Sequence, residues 1–131
     1  MATVVFVDET TAGDRNEAWH LEIFEERLAL REIIRRRVFQ EVAEHNAAGG
    51  GAVFRGLVQP TGAERTLNCY QMDAPRRVDA EQQLARALDA FRRNGFVVLV
   101  ADRQVEDLDA VVELRQGSEI TFLKLVPLVG G

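Results

Sequence analysis

The stretch that decides the fold closes the sequence, where residues 117–131 read GSEITFLKLVPLVGG. Most of it is an apolar run of the kind that forms a β-strand. Pro127 indicates that sheet pairing ends there, because proline cannot donate to a central hydrogen-bond ladder. Gly130 and Gly131 follow closely. We therefore expect a last strand that continues almost to the end of the sequence.

The two glycines suggest a chemical use for that end. Glycine has no Cβ, so Gly130 and Gly131 form a thread narrow enough to enter a channel that side chains would block. A carboxylate on such a thread can be delivered into the active site of another protein. The alternative is a terminal dipeptide without a function, and the dipeptide alone does not decide between the two.

Three segments of the chain resemble ubiquitin-like proteins. Residues 95–108 (GFVVLVADRQVEDL) look like their third and fourth strands, in which an apolar strand meets a short turn and a Gln-apolar-Glu-Asp segment. Residues 117–131 resemble the ends of the molybdopterin synthase small subunit, the thiamine sulfur carrier and the Urm-type modifiers. Residues 28–34 (LALREII) are similar to the start of the single helix in those carriers.

Length and composition predict one globular domain over residues 1–131. The formal net charge of −5 argues against a nucleic-acid partner, since phosphate contacts need clustered cations. The sequence has no apolar run of about 18 residues or more and no signal peptide. We therefore expect a protein that neither spans a membrane nor is secreted.

The isolated reactive side chains predict no catalytic or metal site. Cys69 is the sole cysteine, which excludes an internal disulfide and fits a reducing cytoplasm. We favour a packed or surface thiol over a nucleophile, because no catalytic partner can be assigned to it. His20 and His45 are too few and too isolated for a metal site. The basic run 35–37 is interpreted as a solvated helix face in preference to an anion site.

The N-terminal part predicts two strands and a helix. Residues 3–7 are β-branched and aromatic, as is typical of a buried strand. Residues 19–23 alternate and predict a second strand, with one long helix over 17–46 as the competing interpretation. An amphipathic helix is expected over 29–46, because apolar residues recur there at helical spacing: Leu30, Ile33, Ile34, Val38 and Val42.

The middle of the chain predicts short strands and a second helix. Residues 53–58 and 66–72 are candidate strands around a turn. Asp79 is a candidate N-cap, and Gly95 lies where a left-handed C-cap belongs. An apolar strand is expected over 96–101. The apolar stripe of the second helix is Leu84, Ala87, Leu88 and Phe91.

This order of elements and the resemblance together imply an α+β fold of the ubiquitin-like β-grasp type, in which a mixed sheet wraps one helix. In that fold the first and last strands lie side by side at the centre of the sheet. The section 47–94, about 48 residues with the second helix, has no counterpart in small relatives and is interpreted as an insertion. Residues 126–131 are interpreted as an extended C-terminal tail.

The resemblance also implies the chemistry of the tail. A separate adenylating enzyme of the ubiquitin-activating type would use ATP to activate the carboxylate of Gly131, since a free carboxylate is a poor acylating agent. The acyl-adenylate would then pass to a cysteine as a thioester or to sulfide as a thiocarboxylate. The domain itself would supply no catalytic group and no cofactor, so we do not expect an enzyme. The tail would bind the activating enzyme through Leu125, Val126, Pro127, Leu128 and Val129.

Three functions fit this chemistry: a protein modifier, a sulfur carrier, and a β-grasp interaction domain that is not conjugated. Size favours the modifier, because sulfur carriers that feed a small-molecule synthase usually stay minimal. A modifier implies protein targets, a conjugating enzyme and a deconjugating peptidase as partners. Lys124 is the only lysine of the chain. It is a possible self-acceptor, and its being alone favours single additions over long chains.

Overall fold

The computed structural model of the protein describes residues 2–51, 53–66, 69–72 and 77–125, and for Arg65, Thr66 and Cys69 it describes the backbone alone. Over these residues the chain is a mixed α+β structure with the helices α1 (Leu30–Ala47) and α2 (Ala80–Arg92). The strands are β1 (Ala2–Thr10), β2 (Arg15–Ile23), β3 (Arg27–Ala29), β4 (Val53–Phe54), β5 (Ala63–Thr66), β6 (Cys69–Met72), β7 (Phe96–Val100), β8 (Arg103–Val105), β9 (Val111–Glu113) and β10 (Glu119–Lys124).

The chain divides into two compact units. The first combines residues 1–31 with 91–131, and the second consists of residues 32–90. The second unit contains most of the section 47–94. The expected single domain with an insertion at 47–94 stays a prediction.

The first unit is built on a five-stranded mixed sheet with the strand order β2-β1-β10-β7-β8. β1 and β10 run parallel, from the pair Val5–Glu119 to the pair Thr10–Lys124, and the other neighbours are antiparallel. The first and last strands therefore lie side by side with β10 in the middle of the sheet, which confirms that expectation. β3 and β9 form a separate two-stranded sheet.

The strand predicted over residues 19–23 is present, and the competing long helix over 17–46 is excluded. Residues 19–23 belong to β2, which pairs antiparallel with β1. The register shifts once, because Phe6 lies opposite Trp19 but Val7 lies opposite Glu17. This irregularity is a β-bulge, and it keeps Glu17 and His20 on one face although they are three residues apart.

One face of the five-stranded sheet carries a cluster of phenylalanine rings. The ring centroids of Phe6 and Phe122 lie 5.4 Å apart in an edge-to-face arrangement, and those of Phe96 and Phe122 lie 6.3 Å apart. Phe91 packs on Phe96 at 5.8 Å. Successive side chains of a strand point to opposite faces, so buried Ile120 shares this inner face with Phe122. The inner face is the core of the first unit.

The first helix lies where the sequence predicted it, within one residue at each end. Ile33, Ile34 and Val38 are fully buried, so the predicted apolar stripe of α1 is confirmed as a buried face. At its start, the backbone N–H of Leu30 donates to the carbonyl of Ala110, at 2.9 Å. This bond satisfies one of the N–H groups that a helix leaves without an internal partner.

The basic run 35–37 is not a uniformly solvated face, and that interpretation was wrong for Arg37. The side chain of Arg37 is fully buried, and its Nε donates to Oε2 of Glu41 at 3.3 Å. The Glu41 carboxylate also accepts the N–H of Leu57, at 3.1 and 3.2 Å to its two oxygens. A buried guanidinium is tolerated where a carboxylate compensates its charge. Arg35 remains exposed, as expected.

The second helix begins at the predicted cap and ends differently from the prediction. Oδ1 of Asp79 accepts the N–H groups of Glu81, at 2.9 Å, and of Gln82, at 3.3 Å, so Asp79 is the N-cap. At the other end Asn94 has a φ of 60°, whereas Gly95 is not left-handed, which corrects the predicted C-cap. Asparagine is the residue that most often replaces glycine in this conformation.

The second unit also holds a three-stranded sheet with the order β4-β6-β5. Of the candidate strand 53–58, Val53–Phe54 forms β4. Within the candidate strand 66–72, Cys69–Met72 forms β6, whereas Thr66 ends β5. The loop after β4 is fixed by side chains of both helices. Besides Glu41 on Leu57, Nε2 of Gln83 donates to the carbonyl of Val58 at 2.6 Å, and Arg86 donates to Thr61 Oγ1 at 2.9 Å.

Candidate functional site

β10 ends between two turns, at the end of the sheet where β1 also ends. The carbonyl of Lys124 accepts the N–H of Thr11, in the turn after β1, at 3.1 Å. The N–H of Leu125 reaches the carbonyl of Gly95, just before β7, at 3.4 Å. Leu125 is 40% exposed. The last described residue therefore leaves the sheet on the side where β1 also ends.

The predicted site residues lie at the end of β10 and beyond it. Leu125 is an exposed residue just after β10, and Lys124 is a half-buried residue at the end of β10. Lys124 lies on the same face as Phe122, because the two are separated by two positions in one strand. The other expected tail residues lie outside the described residues: Val126, Pro127, Leu128, Val129, Gly130 and Gly131.

The face of the sheet opposite the phenylalanine cluster is called the outer face here. On β10 it carries Thr121 and Leu123, which alternate with the buried inner residues. Thr121 pairs with Val7 on one side and with Leu99 on the other, and Leu123 pairs with Val97. The centre of the outer face is therefore apolar.

One arginine crosses this apolar centre. Arg15 is the first residue of β2, and its Nη2 lies 2.5 Å from Oε1 of Glu119, the first residue of β10. Its Nη1 lies 4.0 Å from Oε2 of Glu9 on β1. Val7 follows Val5 on the outer face of β1 between these anchors and is fully buried. Arg15 thus spans β1 on the outer face, and the stem of an arginine can cover apolar surface of this kind.

A groove of about 720 Å³ opens beside the start of β10 and the turn between β7 and β8, and residues of both sheet faces line it. Arg15, Arg103 and Arg115 contribute to its lining. Arg15 is paired with Glu119, and Arg115 lies 3.5 Å from Glu113. Within the described parts of the chain, the Arg103 side chain forms no hydrogen bond or ion pair. The apolar lining of the groove includes Leu99, Val105 and Val111.

The turn between β7 and β8 borders the same groove and has an uncommon backbone. Ala101 has a φ of 51° and Asp102 a φ of 63°. Positive φ at both central residues matches the two-residue hairpin turn that usually takes Asn-Gly, because residues with a Cβ are disfavoured there. The turn leads directly into Arg103, so it sets where that side chain begins.

The described residues do not assemble a metal site. No group of three or more His, Cys, Asp and Glu side chains suited to a metal occurs among them. Nε2 of His20 lies 3.7 Å from Glu17 in the first unit, whereas His45 packs edge-on against Phe54 in the second. The side chain of Cys69 is outside the described atoms.

Two features near the start of β10 have no signature in the sequence. Arg15 and Glu119 are 104 positions apart, and neither is part of a motif. Arg103 lies inside the segment 95–108 that resembles ubiquitin-like strands, but its lack of a partner follows only from the fold. Among the helices of the described residues, none has the length and apolar character needed to cross a membrane.

Comparison of the chain with protein-family models, with curated proteins and with solved structures finds no match. The basis for a function is therefore the strand order, the place where β10 ends, and the chemistry of the outer face.

Proposed function

We propose that the protein is a ubiquitin-like modifier of the β-grasp type, whose Gly131 carboxylate is adenylated by an activating enzyme and then conjugated to protein targets. The observation that carries this proposal is the position of β10. It is the middle strand of the sheet, runs parallel to β1, and is followed by Leu125, which is exposed. The segments that resemble ubiquitin-like proteins include β7, β8 and β10, which lie in this one sheet.

The place where β10 ends supports use of the residues beyond it. A tail attached to Leu125 starts beside the turns that hold Thr11 and Gly95, at the end of β10. An enzyme can approach this end of the sheet without unfolding the domain. The apolar residues Val126, Pro127, Leu128 and Val129 would be gripped by the activating enzyme, and Gly130 and Gly131 would enter its narrow channel.

In the proposed reaction an oxygen of the Gly131 carboxylate attacks the α-phosphorus of ATP, and pyrophosphate leaves. A cysteine thiolate of the partner then attacks the acyl carbon, a thioester forms, and AMP leaves. An amine of the target finally attacks the thioester, which gives an amide and frees the thiol. This chain provides the carboxylate and the surface that the partner holds, and the partners provide the catalytic groups.

The remaining partners follow from the same proposal. A conjugating enzyme and a deconjugating peptidase would act on the thioester and on the amide, in the cytoplasm and without nucleic acid or membrane. Lys124 is the only side-chain amine for attachment of a second copy. It is half-buried at the end of a paired strand, which favours single additions.

The direct test is ATP–pyrophosphate exchange with the cognate activating enzyme. The wild-type chain should support exchange, whereas deletion of Gly131 or the change Gly130→Phe should abolish it. Phe24→Ala, at an exposed site in the β2–β3 loop, is the matched control and should leave exchange unchanged. Undiminished exchange by the deletion variant, with the fold intact by circular dichroism, would contradict the proposal.

A further inference from the structure

The groove beside the start of β10 has the chemistry of a peptide site. Its wall includes Leu99 and Val111, and Val111 is 65% exposed although its side chain is apolar. Arg103 supplies a guanidinium that no described residue engages. A guanidinium binds a carboxylate through two parallel hydrogen bonds. The groove is therefore suited to an apolar segment that carries a carboxylate.

The backbone beside the groove points the same way. Ala101 keeps a left-handed conformation that glycine, asparagine or aspartate would adopt more readily. Backbone of this kind is concentrated at binding sites, where the surrounding structure maintains it. Here it fixes the start of β8 and with it the position of Arg103 at the groove.

This chain contains a segment with the required chemistry. Residues 126–131 read VPLVGG, so four apolar residues precede the two glycines. We propose that the groove of one copy binds Val126–Gly131 of a second copy without a covalent bond, with the Gly131 carboxylate on Arg103. This inference rests on the proposed function in one respect, which is that Gly131 carries the free carboxylate.

The register of the sheet favours a second copy over the chain's own tail. Arg103 pairs with Val100, and Val100 pairs with Ile120, so Arg103 lies level with a residue five positions before Leu125. That separation is about 17 Å at the rise of a strand. The tail of the same chain would have to reverse direction after Leu125. Reversal uses several of its six residues, and those left span only about 7–13 Å.

Binding between copies would also compete with activation. A tail held in the groove of a neighbour would not be free to enter an activating enzyme. Because the contact joins two different surfaces, it would be head-to-tail and dependent on concentration. Self-association would thus lower the fraction of tails that an activating enzyme can reach.

The test is fluorescence anisotropy of a labelled peptide of residues 125–131, titrated with the full-length chain in the absence of ATP and partners. The free-acid peptide should bind saturably. Its C-terminally amidated form should bind with an affinity lower by at least about tenfold, because the charge-assisted hydrogen bonds are lost. Arg103→Ala should show the same loss with the free acid. Val111→Asp should also weaken binding, by removing apolar surface from the groove.

Arg92→Ala is the matched control, because Arg92 is an exposed arginine that does not line the groove. It should bind the free acid like the wild type. Equal affinity for the acid and the amide, equal affinity of wild type and Arg103→Ala, or no binding at millimolar protein would overturn the inference. Any of these results leaves the pyrophosphate-exchange result untouched, so the two proposals can fail separately.

Discussion

The guanidinium of Arg15 lies 2.5 Å from the carboxylate of Glu119, and this pair joins the first residue of β2 to the first residue of β10. The strand between them is β1, so the arginine crosses a whole strand of the outer face. The two side chains are 49% and 51% exposed. Water and salt therefore reach the pair, and its contribution to stability is limited.

We expect a modest, salt-dependent coupling between these two residues. A double-mutant cycle with Arg15→Ala and Glu119→Ala, measured by urea unfolding, should give an interaction free energy of about 0.2–1 kcal/mol. The value should shrink in about 1 M salt, because exposed charges are screened. Arg115 and Glu113, at 3.5 Å with side chains 83% and 58% exposed, are the control pair and should couple less. A coupling that is unchanged by salt would contradict this account of the pair.

The buried stripe of α1 predicts a strong contrast between two positions on the same helix. Ile34 is fully buried, and truncation of such a residue to alanine typically lowers the unfolding free energy by about 2–5 kcal/mol. Arg36 has a partly exposed side chain paired with Glu32 at 3.5 Å, an interaction of the i,i+4 type worth about 0.2–0.5 kcal/mol. Thermal melts of Ile34→Ala and Arg36→Ala should therefore differ by several degrees or more. Similar small shifts for both variants would show that the helix face is assigned wrongly.

The tight loop after β4 predicts that replacement of Gly56 even by alanine lowers the free energy of unfolding. A Cβ built at Gly56 would overlap Cε1 of Phe54, so the buried ring would have to move. Overpacking of this kind typically costs about 1–3 kcal/mol. Gly51→Ala is the control, because a Cβ at Gly51 meets no atom within 4 Å. Chemical denaturation that gives the two variants equal stability would contradict the packing described for this loop.

Local sequence signals predicted those parts of the fold that depend on local interactions. The spacing of Ile33, Ile34 and Val38 predicted α1 within one residue at each end, and the short acidic side chain of Asp79 predicted the start of α2. The pairing of the first and last strands was instead implied by the resemblance to β-grasp proteins, and β1 and β10 are paired in parallel. The position of α1 and the start of α2 follow from periodicity and capping, which neighbouring residues determine.

Several other features could not be predicted from the sequence. Arg37 looks like part of a solvated basic run until the fold brings the Leu57 N–H to Glu41, which then holds both groups in a buried network. The left-handed residue at the end of α2 was assigned to Gly95, but Asn94 tolerates that conformation and precedes it. The groove beside Arg103 likewise arises from segments that are separated in the sequence.

The measurement that tests the central claim most directly is mass spectrometry of the tagged protein purified from its native host. Trypsin cleaves last after Lys124, so a conjugated target should carry the remnant Leu125–Gly131, sequence LVPLVGG, on an amine. The modifier account predicts target peptides with this remnant and a ladder of adducts that resists boiling in detergent. The sulfur-carrier alternative predicts an intact mass raised by about 16 Da, since sulfur replaces one oxygen of the carboxylate. If only the sulfur-shifted species or the unmodified chain is found, and no peptide carries the remnant, the modifier account is contradicted.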